Sequence, residues 1–369
     1  MNKILKRALL LTNQLFRWSG SEVVIVEIAE ELEKRGWEVS IFAPNLSVEF
    51  SNEFSTSKIS VTDDIGLITL SDFDLVYCQH QVLNYFLEDL LEVVASERPP
   101  KVIYGHLSPF NRLERPGLKI ENAFADSILC NSLETLCKMI ELGLDSNKTS
   151  LFPNPAPSDF FSIEQTTGQR SSLLAVSNHF PKELRKALHL IEKAGIRVTR
   201  LGRQYRSSRV TVEELASHDM VVSIGKTVQY ALAANRPVYI YDRFGGPGWL
   251  TKENFHDAAN HNFSGRCVGT QYPAKEIARQ ITDPHLDFSE QLHGLSEHRK
   301  SYQISIYVDK FFDQKPDARR SKKVFTDDEV ANFRSEQLEY LSTRVRAKPN
   351  ALKYYAEFTR RYLFNKFKL

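Results

Sequence analysis

Cysteine is scarce in this sequence. Cys78, Cys130, Cys137 and Cys267 are its four. That is too few for a disulfide scaffold, and none pairs as C-x-x-C, which removes the usual zinc cluster. Charge of one sign is not in excess either. The 48 Lys and Arg residues face 46 Asp and Glu, a net charge of +2, so the bulk composition does not announce a nucleic-acid binder. No run approaches the roughly 18 apolar residues that cross a bilayer. The apolar start at residues 8–11 stops at Thr12-Asn13-Gln14 without a small-residue cleavage site, and it reads as a buried strand of a cytoplasmic protein. What is present is ordinary globular composition, 42% hydrophobic and 25% charged over 369 residues. That length suits two domains rather than one core.

Strand and helix patterns alternate along the chain. Residues 7–11 read as a strand, residues 22–34 as a helix ended by Arg35-Gly36, and residues 37–43 as a second strand. This βαβ spacing calls for parallel strands buried on both faces. Further strands are expected at 74–78, 101–104, 127–130 and 149–152. The Pro153-Asn154-Pro155-Ala156-Pro157 run then breaks regular structure. A second alternation follows, with strands at 173–176, 196–201, 220–223 and 237–241 and helices at 182–194 and 227–234. We therefore expect an α/β protein of two Rossmann-like domains, 1–155 and 170–315, whose parallel sheets face a cleft, and a basic linker with helices over 316–369. In open α/β sheets ligands bind beyond the carboxyl ends of the strands, so the residues that follow strands are the ones to inspect.

Four such segments carry a family resemblance. They are Ser19-Gly20-Ser21-Glu22 with Arg35-Gly36-Trp37-Glu38-Val39; Asp74-Leu75-Val76-Tyr77-Cys78-Gln79-His80; Ala125-Asp126-Ser127-Ile128-Leu129-Cys130-Asn131-Ser132 with Phe152-Pro153-Asn154-Pro155; and Ala231-Leu232-Ala233-Ala234-Asn235-Arg236-Pro237-Val238. In order and spacing they resemble the GT-B-fold nucleotide-sugar glycosyltransferases of the family 4-like group (group 1). The paired glutamates usual in that family's second domain are missing: Val222 and Tyr230 stand in their places.

Ser223-Ile224-Gly225-Lys226-Thr227 lies between a strand and a helix. Glycine permits close backbone approach, free amides at a helix start attract phosphate, Lys226 adds charge and Thr227 a hydroxyl. The alternative is a tight turn with a solvated lysine. A P-loop is excluded because its first glycine would fall at Met220. The glycine-rich stretch Tyr241 to Leu250 reads as a rigid loop, with Asp242 accepting a sugar hydroxyl, Gly245 and Gly246 offering amides, and Arg266 a second phosphate partner. The resemblance implies donor contacts from Asn178, Lys182 and Arg203, and an approach to the cleft floor by Gly20. On the acceptor side His106 and His80 each follow a strand, where a neutral imidazole can take a hydroxyl proton. Glu22 and Glu114 are the alternatives. No Asp-x-Asp pair or histidine cluster calls for a metal, and no cofactor beyond the nucleotide-sugar co-substrate is expected.

Residues 344–369 set eight basic residues and six aromatic ones against Glu357. That composition suits an anionic membrane surface, or equally a terminal helix packed back on the domains with a solvated basic face. The expected function is transfer of a sugar from a nucleotide-diphosphate donor to a cell-surface glycan or lipid-linked acceptor, without nucleic acid. The alternatives are a non-catalytic nucleotide- or sugar-binding partner and a sugar-nucleotide epimerase.

Overall fold

The computed structural model describes residues 6–55, 57–164, 170–313 and 322–347. Two sheets organise them. The first contains β1 (Arg7–Leu11), β2 (Glu38–Phe42), β3 (Ile59–Thr62), β4 (Leu75–Gln79), β5 (Lys101–His106), β6 (Ser127–Cys130) and β7 (Thr149–Leu151). Its order is β3-β2-β1-β4-β5-β6-β7, and every neighbouring pair is parallel. The second contains β8 (Ser172–Val176), β9 (Arg197–Leu201), β10 (Met220–Ser223), β11 (Val238–Asp242) and β12 (Gly245–Trp249) in the order β12-β11-β10-β8-β9. Only the β11–β12 hairpin in it is antiparallel. The helices that concern the site are α1 (Gly20–Lys34), α2 (Leu118–Phe124), α3 (Leu133–Glu141), α4 (Lys182–Lys193), α5 (Lys226–Ala233) and α6 (Asp327–Ala347).

The near-continuous apolar strands are explained by burial on both faces. Along β1, Leu9 and Leu11 enter one core while Ala8 and Leu10 enter the other, as the period of two requires. The second sheet repeats this: Leu174, Val221 and Ile240 face one core, and Leu173, Ala175, Met220, Val222 and Tyr239 the other. α1 stops where Gly36 takes φ +84°, the left-handed cap that glycine tolerates. Strand order reverses between β1 and β4 in the first sheet and between β8 and β10 in the second. These are the two points where such sheets open a crevice.

The two halves are joined by two crossings that run side by side. Ala156 N–H donates to the Tyr302 carbonyl at 2.7 Å, and Ile304 N–H donates to the Ala156 carbonyl at 3.0 Å. After the return crossing, Ile304, Val308, Phe311 and Phe312 pack into the first sheet's core. The expected extension of the second unit to residue 315 therefore differs from the packing, because this apolar stripe has its partners on α1, at Tyr77 of β4 and at Phe152. α6 also sits on the first domain. Phe333, Tyr340 and Leu341 enter its core, and Phe333 and Phe325 each meet the Phe124 ring, with centroids 5.2 and 5.0 Å away. Glu336 accepts the N–H groups of Lys119 and Ile120, both at 3.0 Å, and so caps α2 from outside. Most of the basic linker and the basic aromatic segment from residue 348 onward lie outside the described residues. Among those described, no helix is long and apolar enough to cross a membrane.

Phe333 is 5% exposed while Leu338 on the same helix is 46% exposed. Phe333→Ala should lower unfolding stability by about 3–5 kcal/mol, whereas Leu338→Ala should change it little. Chemical denaturation of both variants checks this, and equal effects would mean that α6 does not share the first core.

Candidate functional site

The carboxyl edges of the two sheets face each other across a cavity of about 590 Å³. From the first domain it is lined by the start of α1, including Gly20 and Ser21, and by His80, Glu114 and Asn131. From the second it is lined by the loops that leave β8, β10 and β11, which carry Asn178 and His179, Gly225 to Thr227, and Asp242 to Phe244. Each of these follows a strand, as the position of the crevice requires. Gly225 has φ +56° and ψ −132°, a backbone that suits glycine, at the turn into α5.

The cations expected to meet phosphate are engaged elsewhere. Lys226 Nζ lies 2.5 Å from Oε2 of Glu27 on α1, and it also donates to the Asn154 carbonyl at 3.1 Å and to the Pro155 carbonyl. Its three donors are thus used by the first domain and the crossing segment. Burial pulls the Lys226 ammonium below its ordinary pKa and Arg209 adds to this, while Glu27 opposes both. Tyr230, at one of the two positions of the missing glutamates, donates its hydroxyl to Glu27 Oε1. Burial, then Glu27, hold that phenol well above its usual range, so it keeps its proton. Arg209 Nη1 and Nη2 reach Glu30 at 2.6 and 2.8 Å, and Nη2 reaches Glu27 at 3.3 Å. Arg266 forms a fork with Glu134 of α3, Nε to Oε1 at 3.0 Å and Nη2 to Oε2 at 2.7 Å. Lys226 and Arg266 are thereby corrected from phosphate ligands to ties across the cleft. Glu27 is 1% exposed and is the centre of the larger tie.

The expected acid–base residues are also occupied. Glu22 accepts from the hydroxyls of Ser19 and Ser21 and from Gln14 Nε2 at 2.8 Å, which makes it the anchor of the first turn of α1. His80 lines the cavity, but its Nδ1 accepts the Asn13 N–H at 3.3 Å. The proton therefore sits on Nε2, which faces Glu114 Oε1 at 3.2 Å. His106 Nδ1 meets the Glu114 carbonyl at 3.1 Å and its Nε2 meets Glu121 Oε2 at 2.8 Å. A carbonyl at one ring nitrogen and a carboxylate at the other favour the protonated ring, and His106 does not line the cavity. Burial alone would lower its pKa, but Glu121 and Glu114 outweigh burial and raise it. Glu114 is held below its ordinary pKa although burial opposes this, because His80 and the Leu107 N–H bond to its carboxylate and His106 adds charge 3.9 Å away. His106 is accordingly buried behind the cavity and held by Glu114 and Glu121, which does not suit the expected role of base.

Other expectations divide. Gly20, Asn178, Gly225 and Thr227 line the cavity. Lys182 and Arg203 are exposed and do not line it. Gly202 keeps that loop close to β8, because a Cβ there would overlap the Ser177 carbonyl. Gly245 and Gly246 belong to β12 and not to an open loop. A Cβ on either would overlap the carbonyl of Thr270 or of Ile240, so close strand packing explains both glycines. Asp242 accepts from Phe244 N–H at 2.7 Å, Ser264 Oγ at 2.9 Å and Gly265 N–H at 3.1 Å, and so fixes the hairpin instead of presenting a bare carboxylate. Sequence reasoning passed over Glu27, His179 and Arg243. The last two follow strands directly, a signal that was available; Glu27 sits mid-helix and gave none. Among the described residues no cluster of His, Cys, Asp and Glu is arranged to hold a metal.

Two Rossmann-like sheets facing one cleft, with an N-terminal helix start and strand-end loops at its walls, define a protein of the GT-B fold. Residues 18–160 match the model of Glycosyltransferase Family 4. No curated protein matches the chain in sequence. Among solved structures, HepE of Anabaena in complex with UDP and glucose superposes with a TM-score of 0.54 at 13% identity, over 92% of this chain and 100% of that one. An alpha-glucosyltransferase in complex with UDP gives 0.51 at 11% identity, over 83% and 98%. At such identities the likeness establishes the fold.

Lys226→Met should lower stability by about 3–5 kcal/mol, because the Glu27 carboxylate stays buried without its nearest cation, and adding Glu27→Gln should restore part of the loss. Urea unfolding of the single and double variants measures this; a neutral single variant would remove Lys226 from the tie. His106 gives a pH signature. Its raised folded pKa means that its stabilisation is complete below about pH 6.5, the unfolded value, and fades as pH rises through the folded one. The stability gap between the wild-type protein and His106→Gln should be widest below about pH 6.5 and narrow as the pH rises above it. A gap that widens with pH would show His106 to be buried neutral.

Proposed function

We propose that the protein is a glycosyltransferase that moves a sugar, such as a hexose, from a nucleotide-diphosphate donor to a hydroxyl of a cell-surface glycan or lipid-linked acceptor. The observation that carries this reading is the shared cavity. The loops after β8, β10 and β11 would form its donor wall, and the first domain, where the Glycosyltransferase Family 4 model matches, its acceptor wall. The HepE and alpha-glucosyltransferase structures hold UDP on this fold, which supports uridine diphosphate as the first donor nucleotide to test. Without the paired glutamates, charge on the leaving diphosphate falls to the strand-end loops and to fixed polar groups such as Thr227 and Asn178. Action from the inner face of the membrane would bring a lipid-linked acceptor within reach.

One observation favours a second reading, that of a non-catalytic nucleotide-sugar-binding partner of an active transferase. The acid–base candidates His80, His106, Glu22 and Glu114 are all tied by hydrogen bonds. The two readings separate on a nucleotide-sugar panel. Thermal shift with uridine, guanosine, adenosine and cytidine diphosphates should identify one ligand that stabilises by about 2.7 kcal/mol at 100 times its dissociation constant. Slow hydrolysis of the matching nucleotide sugar then supports the transferase, and tight binding without any turnover supports the partner. Absence of stabilisation by every diphosphate would end both.

A further inference from the structure

Four Lys and Arg side chains line the cavity: Arg209, Lys226, Arg243 and Arg266. Three of them are held by carboxylates of the opposite domain, as described above. Arg243 is different. Its guanidinium has no carboxylate partner among the described residues and rests over the Phe244 ring, 4.7 Å from the centroid. An arginine stacked on an aromatic face keeps its planar fork of donors open for an oxyanion.

The backbone under it is fixed. Asp242 Oδ1 accepts the Phe244 N–H at 2.7 Å, and Gln271 Nε2 donates to the Arg243 carbonyl at 3.0 Å. Asp242 is itself held by Ser264 and Gly265. Arg243 also stands beside the turn into α5. Ser223 pairs with Ile240 across β10 and β11, so Gly225–Thr227 and Asp242–Phe244 leave the sheet side by side. The Thr227 hydroxyl and the free guanidinium therefore border the same stretch of cavity wall.

We propose that Arg243 is the residue that binds the diphosphate of the donor, in place of the lysine and arginines that sequence spacing suggested. This rests on the nucleotide-sugar reading above and assigns the charge recognition within it. The cavity-lining cations committed to Glu27, Glu30 and Glu134 hold the domains together, and Arg243 supplies the charge-assisted bonds to phosphate oxygens.

The experiment is calorimetric titration of the full chain with whichever of the four nucleoside diphosphates stabilises it most, and with the corresponding nucleoside. Arg243→Ala should weaken the diphosphate about tenfold to a hundredfold while leaving the nucleoside within about twofold, and Arg243→Lys should recover part of the loss. Arg243 is exposed, so the fold should survive; circular dichroism on the same samples verifies it. Arg203→Ala and Lys182→Ala, which alter exposed cations outside the cavity, should leave diphosphate affinity unchanged. Unchanged diphosphate affinity in Arg243→Ala, equal losses for diphosphate and nucleoside, or a larger loss in Arg203→Ala or Lys182→Ala would each overturn the assignment while leaving the nucleotide-sugar reading in place. A wild-type chain that binds none of the diphosphates overturns both.

Discussion

The contact of Glu27 with the second domain is the constraint on which the cleft depends. One carboxylate, 1% exposed on α1, meets Lys226, Tyr230 and Arg209. A buried charge of this kind is costly to desolvate and is tolerated only when its surroundings answer it fully. In this structure the domains sit where an ammonium, a phenol and a guanidinium reach the same two oxygens. α1 is built for this. Val24, Ile25 and Ile28 join the first core while Val23 joins the second, so a single helix contributes to both.

Much of the fold was legible because burial on both faces writes strands as apolar runs. Arg7–Leu11, Ser127–Cys130 and Met220–Ser223 fall where such runs predict them. β12 was not legible. Gly245-Gly246-Pro247-Gly248 has the composition of a loop, and only the close approach of the Thr270 and Ile240 carbonyls explains why the strand there has no side chain at Gly245 and Gly246. Turn chemistry and close strand packing select the same residue, and spacing along the chain does not separate them.

The site was legible in position but not in partnership. Residues that follow strands do reach the cavity, as Asn178, Gly225, Lys226, Thr227 and His80 show. Whether a charge there is available depends on residues far away in sequence. Tyr230 meets a carboxylate 203 positions earlier, and Arg266 one 132 positions earlier. Local pattern carries no record of such pairs. The same holds for His80, whose carbonyl accepts the hydroxyl of Tyr340 on α6 at 3.1 Å. The first domain's edge of the cleft is thus braced by a helix that follows both sheets in the chain.

The paired crossings near Ala156 and Tyr302 give the molecule a preferred direction of movement. Two chain segments bridged by hydrogen bonds form a ribbon, and a ribbon bends more readily about its flat face than it shears along its length. Sliding one segment past the other would break the Ala156–Tyr302 and Ile304–Ala156 bonds together, whereas a hinge-like rotation leaves both intact. Separation of the cleft walls would then proceed as a swing about one axis. The ties between its walls, Arg209 to Glu30 and Arg266 to Glu134, would act as latches on that swing. Ligand entry becomes a matter of how far that swing travels before the Glu27 contact itself parts.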